Sequence, residues 1–316
     1  MERRRPVRLA LLAALLICPG WIPSRRGAGA ADPGADYSGA GGGGASRIVR
    51  LAPARPVALI PKTLAGLRGL TGEDFLCVER GDCLVASDLG PGEYEYLVDG
   101  VLDYCHDALR RAFFDRGRGA GKKLSVFVFR DYASYESGLA RFMGMAPISP
   151  YGHYGHSQKY IVVNYETGPG TLVHELTHSL MSEDFPEAPI WLAEGMASLY
   201  EQCRAEGEFL RGDDNWRLPE LKDALAAGRL EPLSGLLAMA PSEFRGGRES
   251  LNYAAARYFC KYLEEMGSLP EVYKEFRRRP ELDPTGRGFV VRALGKPLEA
   301  VDAEWRRWLR FQYWRE

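Results

Sequence analysis

At 316 residues the chain is long enough for one large domain or two small ones. Its 41 basic and 42 acidic side chains leave a formal charge of −1, so no global field favours nucleic acid or an anionic membrane. A content of 46% hydrophobic and 26% charged residues is ordinary for a globular protein.

Arg3, Arg4, Arg5 and Arg8 precede an unbroken apolar run over 9–17. A basic head followed by an apolar run too short for a membrane span, which needs about 20 residues, reads as a secretory signal. Ala28-Gly29-Ala30 offers small residues for cleavage, so the signal is taken as 1–31 and the mature chain as secreted or periplasmic. A lipid anchor on Cys18 is the weaker reading, because Ile17 is a poor residue before a lipidated cysteine. Residues 32–46, rich in glycine, alanine and serine, read as a flexible linker. From 47 to 316 the pattern is that of a single domain without internal repeats, and no later stretch is apolar enough to span a membrane.

Phe75-Leu76-Cys77-Val78 and Cys83-Leu84-Val85-Ala86 read as two strands around the turn Arg80-Gly81-Asp82. In an exported protein Cys77 and Cys83 would staple that hairpin, whereas Cys105, Cys203 and Cys260 read as buried thiols. No Cys-x-x-Cys pair suggests a zinc–cysteine site. Leu97, Val101, Tyr104, Cys105, Leu109 and Phe113 recur at helical spacing over 94–114, and His106 on that helix is read as structural. A buried strand follows at 124–129, a helix at 132–142 and a strand at 160–164, with His153 and His156 in a polar loop between them. The turn 168–170 leads to a helix that Thr171 is placed to cap. Beyond 183 the pattern is mainly helical, over 190–203, 219–227, 251–266, 270–278 and 298–313. Arg277-Arg278-Arg279 reads as a solvated helix end, and Trp305, Trp308, Phe311, Tyr313 and Trp314 as the apolar face of the last helix. Strands and helices mix early and helices dominate late, an α+β layout with a sheet lobe over 47–182 and a helical lobe over 183–316. A metal site between two such lobes would sit in a cleft.

The chemistry is carried by His174-Glu175-Leu176-Thr177-His178. Helical residues four apart leave the same face, about 40° apart in azimuth and about 6 Å along the axis, so both imidazoles can converge on one ion. Zinc accepts neutral imidazole nitrogens, and Glu175 beside the first ligand can take a proton from water. Chance alone would give such a pattern in roughly one in a hundred chains of this composition. A catalytic zinc has three protein ligands, and Glu194 in Ile190-Trp191-Leu192-Ala193-Glu194-Gly195-Met196-Ala197 is the best third. It is the one carboxylate in the apolar run 190–200, where without a partner its burial would cost several kcal/mol. Gly195 and Ala197 are small enough for this helix to pack closely against the first. Asp184, six residues after His178, is a competing third ligand.

His174-Glu175-x-x-His178 followed by Trp191-Leu192-x-Glu194-Gly195-x-Ala197 resembles the gluzincins of the peptidase MA clan, most of all the small bacterial peptidase MA-like domains. The motifs span about 160–202. The resemblance implies a zincin-like fold, with a mixed sheet lobe bearing the active-site helix and a helical C-terminal lobe. It implies one Zn2+ per chain on His174, His178 and Glu194, and hydrolysis of peptide or protein substrates by water that Glu175 activates. It further implies an extended substrate bound along Tyr160 to Asn164, and Tyr253 as the oxyanion donor. The chain departs from the family in three places. Ser198 stands where thermolysin-like enzymes carry an acid that orients a histidine, which leaves Glu201 for that task. No histidine follows His178, and the Gly-x-Met-x-Asn motif of aminopeptidases is missing. Two other readings stay open: an inactive exported binding module on the same frame, and a zinc hydrolase of a non-peptide amide.

Overall fold

The computed structural model describes residues 59–114 and 123–314; the expected signal, Cys18 and the 32–46 linker lie outside them. Helices and a mixed sheet together make an α+β protein. The described residues fall into two units, one formed by 59–94 and 123–167, the other by 95–114 and 168–314. The helix that carries His174 and His178 therefore groups with the helices and not with the sheet.

The first unit is a five-stranded sheet of order β1-β2-β3-β5-β4, with β1 Leu76–Arg80, β2 Cys83–Ser87, β3 Leu124–Phe129, β4 Gly152–Gly155 and β5 Tyr160–Asn164. β2, β3 and β5 are parallel, and the outer pairs β1–β2 and β4–β5 are antiparallel. β3 and β5 are buried at every position, which accounts for their unbroken apolar sequences. Leu84, Ala86, Phe127, Phe129, Tyr160 and Val162 pack against Tyr135, Leu139, Phe142 and Met143 of the helical stretch that begins at Tyr132. Asp131 starts that stretch by accepting the Ser134 amide proton at 2.8 Å. Gly138 is required within it, since a Cβ there would overlap the Phe129 ring.

Three expectations fail here. The β1–β2 register sets Arg80 opposite Cys83 and Cys77 opposite Ala86. Three residues of offset put the two thiols on opposite faces, so the hairpin staple does not form, and all five described cysteines are thiols. β5 is no free edge either. Val162 pairs with Phe127 on one side and with His153 on the other, so the backbone of Tyr160 to Asn164 is already engaged and cannot take up an extended substrate. The residues expected as a polar loop are the edge strand β4, where His153 is buried with Nε2 3.2 Å from the Tyr160 hydroxyl. Burial pushes the His153 pKa down to about 4. Gly-His-Tyr-Gly lacks the β-branched residues that mark strands in a sequence.

The second unit opens with π-helical turns over Tyr96–Asp103 that continue into α1, Tyr104–Ala112. Its centre is built from α2 Gly170–Asp184, α3 Ile190–Glu201 and α4 Glu249–Glu265, with α5 Leu269–Arg278 and α6 Leu298–Phe311 packed outside. A small hairpin, β6 Cys203–Glu206 and β7 Phe209–Gly212, follows α3. The Tyr104 hydroxyl donates to the carbonyls of Gly207 and Phe209 and ties α1 to it. α2 begins at Gly170, so Thr171 lies inside its first turn and does not cap it. α3 is buried on nearly every side, as its apolar sequence requires.

Glycines set the spacing around α3. A Cβ on Gly195 would come 2.6 Å from Cys260 Sγ and 2.8 Å from the Ala256 carbonyl oxygen, so Gly195 admits α4 and not α2. The close approach of α2 to α3 is made by Gly170, where a Cβ would fall on the Glu201 carbonyl oxygen. In α6 Trp305 is wholly buried and Trp308 donates to Glu265 at 2.8 Å, but Phe311 and, beyond the helix, Tyr313 are 80% and 66% exposed. Among the described residues no helix is long and apolar enough to cross a membrane.

Candidate metal centre

α2 presents His174, Glu175 and His178 at buried positions, and α3 presents Glu194 2% exposed. His174 Nε2 and His178 Nε2 stand 3.1 Å apart. Glu194 Oε2 lies 3.2 Å from His178 Nε2 and 3.8 Å from His174 Nε2. Donors about 2.1 Å from a tetrahedral ion stand roughly 3.4 Å from one another, and the three separations bracket that value. Among the described residues this is the one cluster of three or more such donors.

The contacts of Glu194 are divided between its two oxygens. Oε1 accepts from Arg245 Nη2 at 2.9 Å. Oε2 is buried and receives no well-directed hydrogen bond, although it faces both imidazoles. A buried carboxylate oxygen left this way is costly unless a cation takes it up. Two imidazole nitrogens and one carboxylate oxygen also form a donor set suited to zinc, whereas calcium and magnesium prefer oxygen alone. The residues present therefore fit a divalent ion.

The surroundings favour positive charge at the same point. Burial opposes the imidazolium of His174, but Glu201, Glu175 and Glu194 outweigh it and push the pKa up to about 9. Burial likewise opposes the Glu194 carboxylate, yet His178, His174 and Arg245 hold its pKa down at about 2. Glu201 Oε2 lies 3.6 Å from His174 Nδ1, an ion-pair distance too long for a hydrogen bond. Arg217 Nη2 donates to the same oxygen at 3.3 Å. Arg217, His174 and Arg257 bring Glu201 down to about 2 against its burial. Tyr253, the expected oxyanion donor, is wholly buried on α4, with its ring 5.1 Å from that of Phe244 and 5.8 Å from the Arg217 guanidinium.

Asp184 has a different task. It ends α2 and accepts from Arg277 Nη1 at 2.7 and 2.8 Å and from the Tyr273 hydroxyl at 3.0 Å. The carboxylate is thus consumed by α5, which excludes it as third ligand. Arg277 is correspondingly buried and is not part of a solvated helix end. Asp184→Ala should leave metal stoichiometry intact and destabilise the protein by about 3–5 kcal/mol, because it removes the carboxylate paired with a buried guanidinium. Urea unfolding beside metal analysis checks this, and metal loss without destabilisation would restore Asp184 as a ligand.

Arg245 and Arg217 carry no signal in the sequence, being lone basic residues in connecting segments. No protein-family model matches the chain, and no curated protein matches it.

Proposed function

We propose that the chain is an exported zinc metallopeptidase of the gluzincin type. The observation that carries this reading is the convergence of His174 Nε2, His178 Nε2 and Glu194 Oε2 within 3.8 Å of one another at a buried point beside Glu175. His174, His178 and Glu194 would hold a zinc ion, which would supply a Lewis acid for the scissile carbonyl and for water. Glu175 takes the proton from the attacking water and delivers it to the leaving nitrogen. Glu201, held by Arg217, places negative charge beside the other ring nitrogen of His174. Tyr253 donates a hydrogen bond to the oxygen that gains charge at the carbonyl.

The substrate class is peptide or protein, and one ion serves each chain. The rival reading of an inactive binding module would leave Glu175 without a task, although this carboxylate lies buried next to the first ligand. Metal-replete mature protein should cleave members of a broad peptide library. 1,10-Phenanthroline should stop the cleavage and added zinc should restore it. A protein that holds one zinc yet cleaves no peptide would sink the peptidase reading. In the same assay Tyr253→Phe should lower kcat with KM little changed, and an unchanged kcat removes Tyr253 from the mechanism.

A further inference from the structure

Glu194 has two oxygens, and the protein uses them for different purposes. Arg245, which closes the short helix Pro241–Phe244, reaches Oε1 at 2.9 Å. The segment that carries it is anchored from two directions. Asn252 on α4 donates to the Phe244 carbonyl at 2.9 Å, and the buried Phe244 ring packs edge-on against Tyr253. The Arg245 guanidinium is thereby delivered to one oxygen of a carboxylate that is almost fully buried.

Coordination arithmetic gives this contact a consequence. Two imidazole nitrogens and one carboxylate oxygen fill three positions of a tetrahedral ion, and the fourth distinguishes a working site from a structural one. A carboxylate that is free to turn can bring in its second oxygen as a fifth ligand and crowd that position. With Oε1 drawn to Arg245, turning would break a charge-assisted hydrogen bond in a poorly solvated place.

We propose that Arg245 is a positioning residue that restricts Glu194 to one-oxygen ligation and so keeps the ion four-coordinate, with one position left for solvent or substrate, a statement that rests on the reading of His174, His178 and Glu194 as metal ligands. Arg245 acts through Glu194 and touches no reacting atom. A merely structural ion pair would affect stability and leave the ligand count unchanged.

Cobalt(II) replaces zinc in such sites, and its visible absorption weakens sharply when a fifth ligand joins four. Wild-type, Arg245→Met and Arg245→Gln proteins loaded with cobalt would be compared by visible spectroscopy and by competition with a chelator. Wild type is expected to give the intense four-coordinate spectrum. Both variants are expected to lose most of that intensity while still holding one cobalt per chain. A variant that binds one cobalt with the wild-type spectrum overturns the proposal, and either variant suffices if the other fails to fold. Wild-type protein that takes up neither cobalt nor zinc overturns the metal-site reading itself, which separates the two failures.

Discussion

Glu175→Gln is expected to abolish useful turnover while leaving one zinc on each chain. The substitution conserves shape at a position only 1% exposed, so packing on α2 should survive. An amide cannot accept the proton that a carboxylate accepts. General base catalysis contributes about 10²–10⁴-fold, so kcat/KM should fall by at least that factor, or about 3–5 kcal/mol of barrier. The three donors at the metal centre are untouched, although His174 loses one of the carboxylates that favour positive charge there. Steady-state kinetics beside metal analysis tests both halves of the expectation. Activity within tenfold of wild type would remove Glu175 from the role of base, and loss of zinc would show that its contribution is to ligand arrangement.

Glu194→Ala should have the largest effect on the metal itself. It removes one of three donors and leaves Arg245 facing two imidazoles without a carboxylate between them. Loss of a group that only supports a ligand costs roughly 10–100-fold in affinity, and loss of the ligand should cost more. After dialysis against buffer without zinc, the variant should hold clearly less than one zinc per chain. Thermal unfolding offers a second readout. An ion bound at a hundred times its dissociation constant stabilises a fold by about 2.7 kcal/mol, and this zinc-dependent rise should vanish in the variant. Full stoichiometry in Glu194→Ala would mean that the third donor lies elsewhere.

The candidate site is legible in the sequence where its chemistry is local. His174, Glu175 and His178 sit within one helical turn and a little more, and Glu194 stands out as the one carboxylate in the apolar run 190–200. Arg245 and Arg217 are not legible, because a lone arginine in a connecting segment gives no periodic signal. The pairing of Asp184 with Arg277 bridges 93 residues, and no local pattern records such a partner. In the sheet, β3 and β5 announce themselves through apolar runs that match their observed ends. Strand order is hidden, since Gly152–Gly155 shows no strand composition and its pairing with β5 is what removes the free edge there. The hairpin after α3 escapes detection for a similar reason, because Cys-Arg-Ala-Glu and Phe-Leu-Arg-Gly read as polar.

Gly170 makes the distance between histidines and carboxylate a property of main chain meeting main chain. Gly170 lets α2 rest on the last carbonyl of α3, and Gly195 lets α4 rest on the opposite flank. Side chains elsewhere can drift without altering this calliper. An added methyl at Gly170 would pry its jaws apart and carry the carboxylate out of register with the imidazoles. Anyone wishing to retune the separation of the three donors would find this featureless position a finer adjustment than the donors themselves.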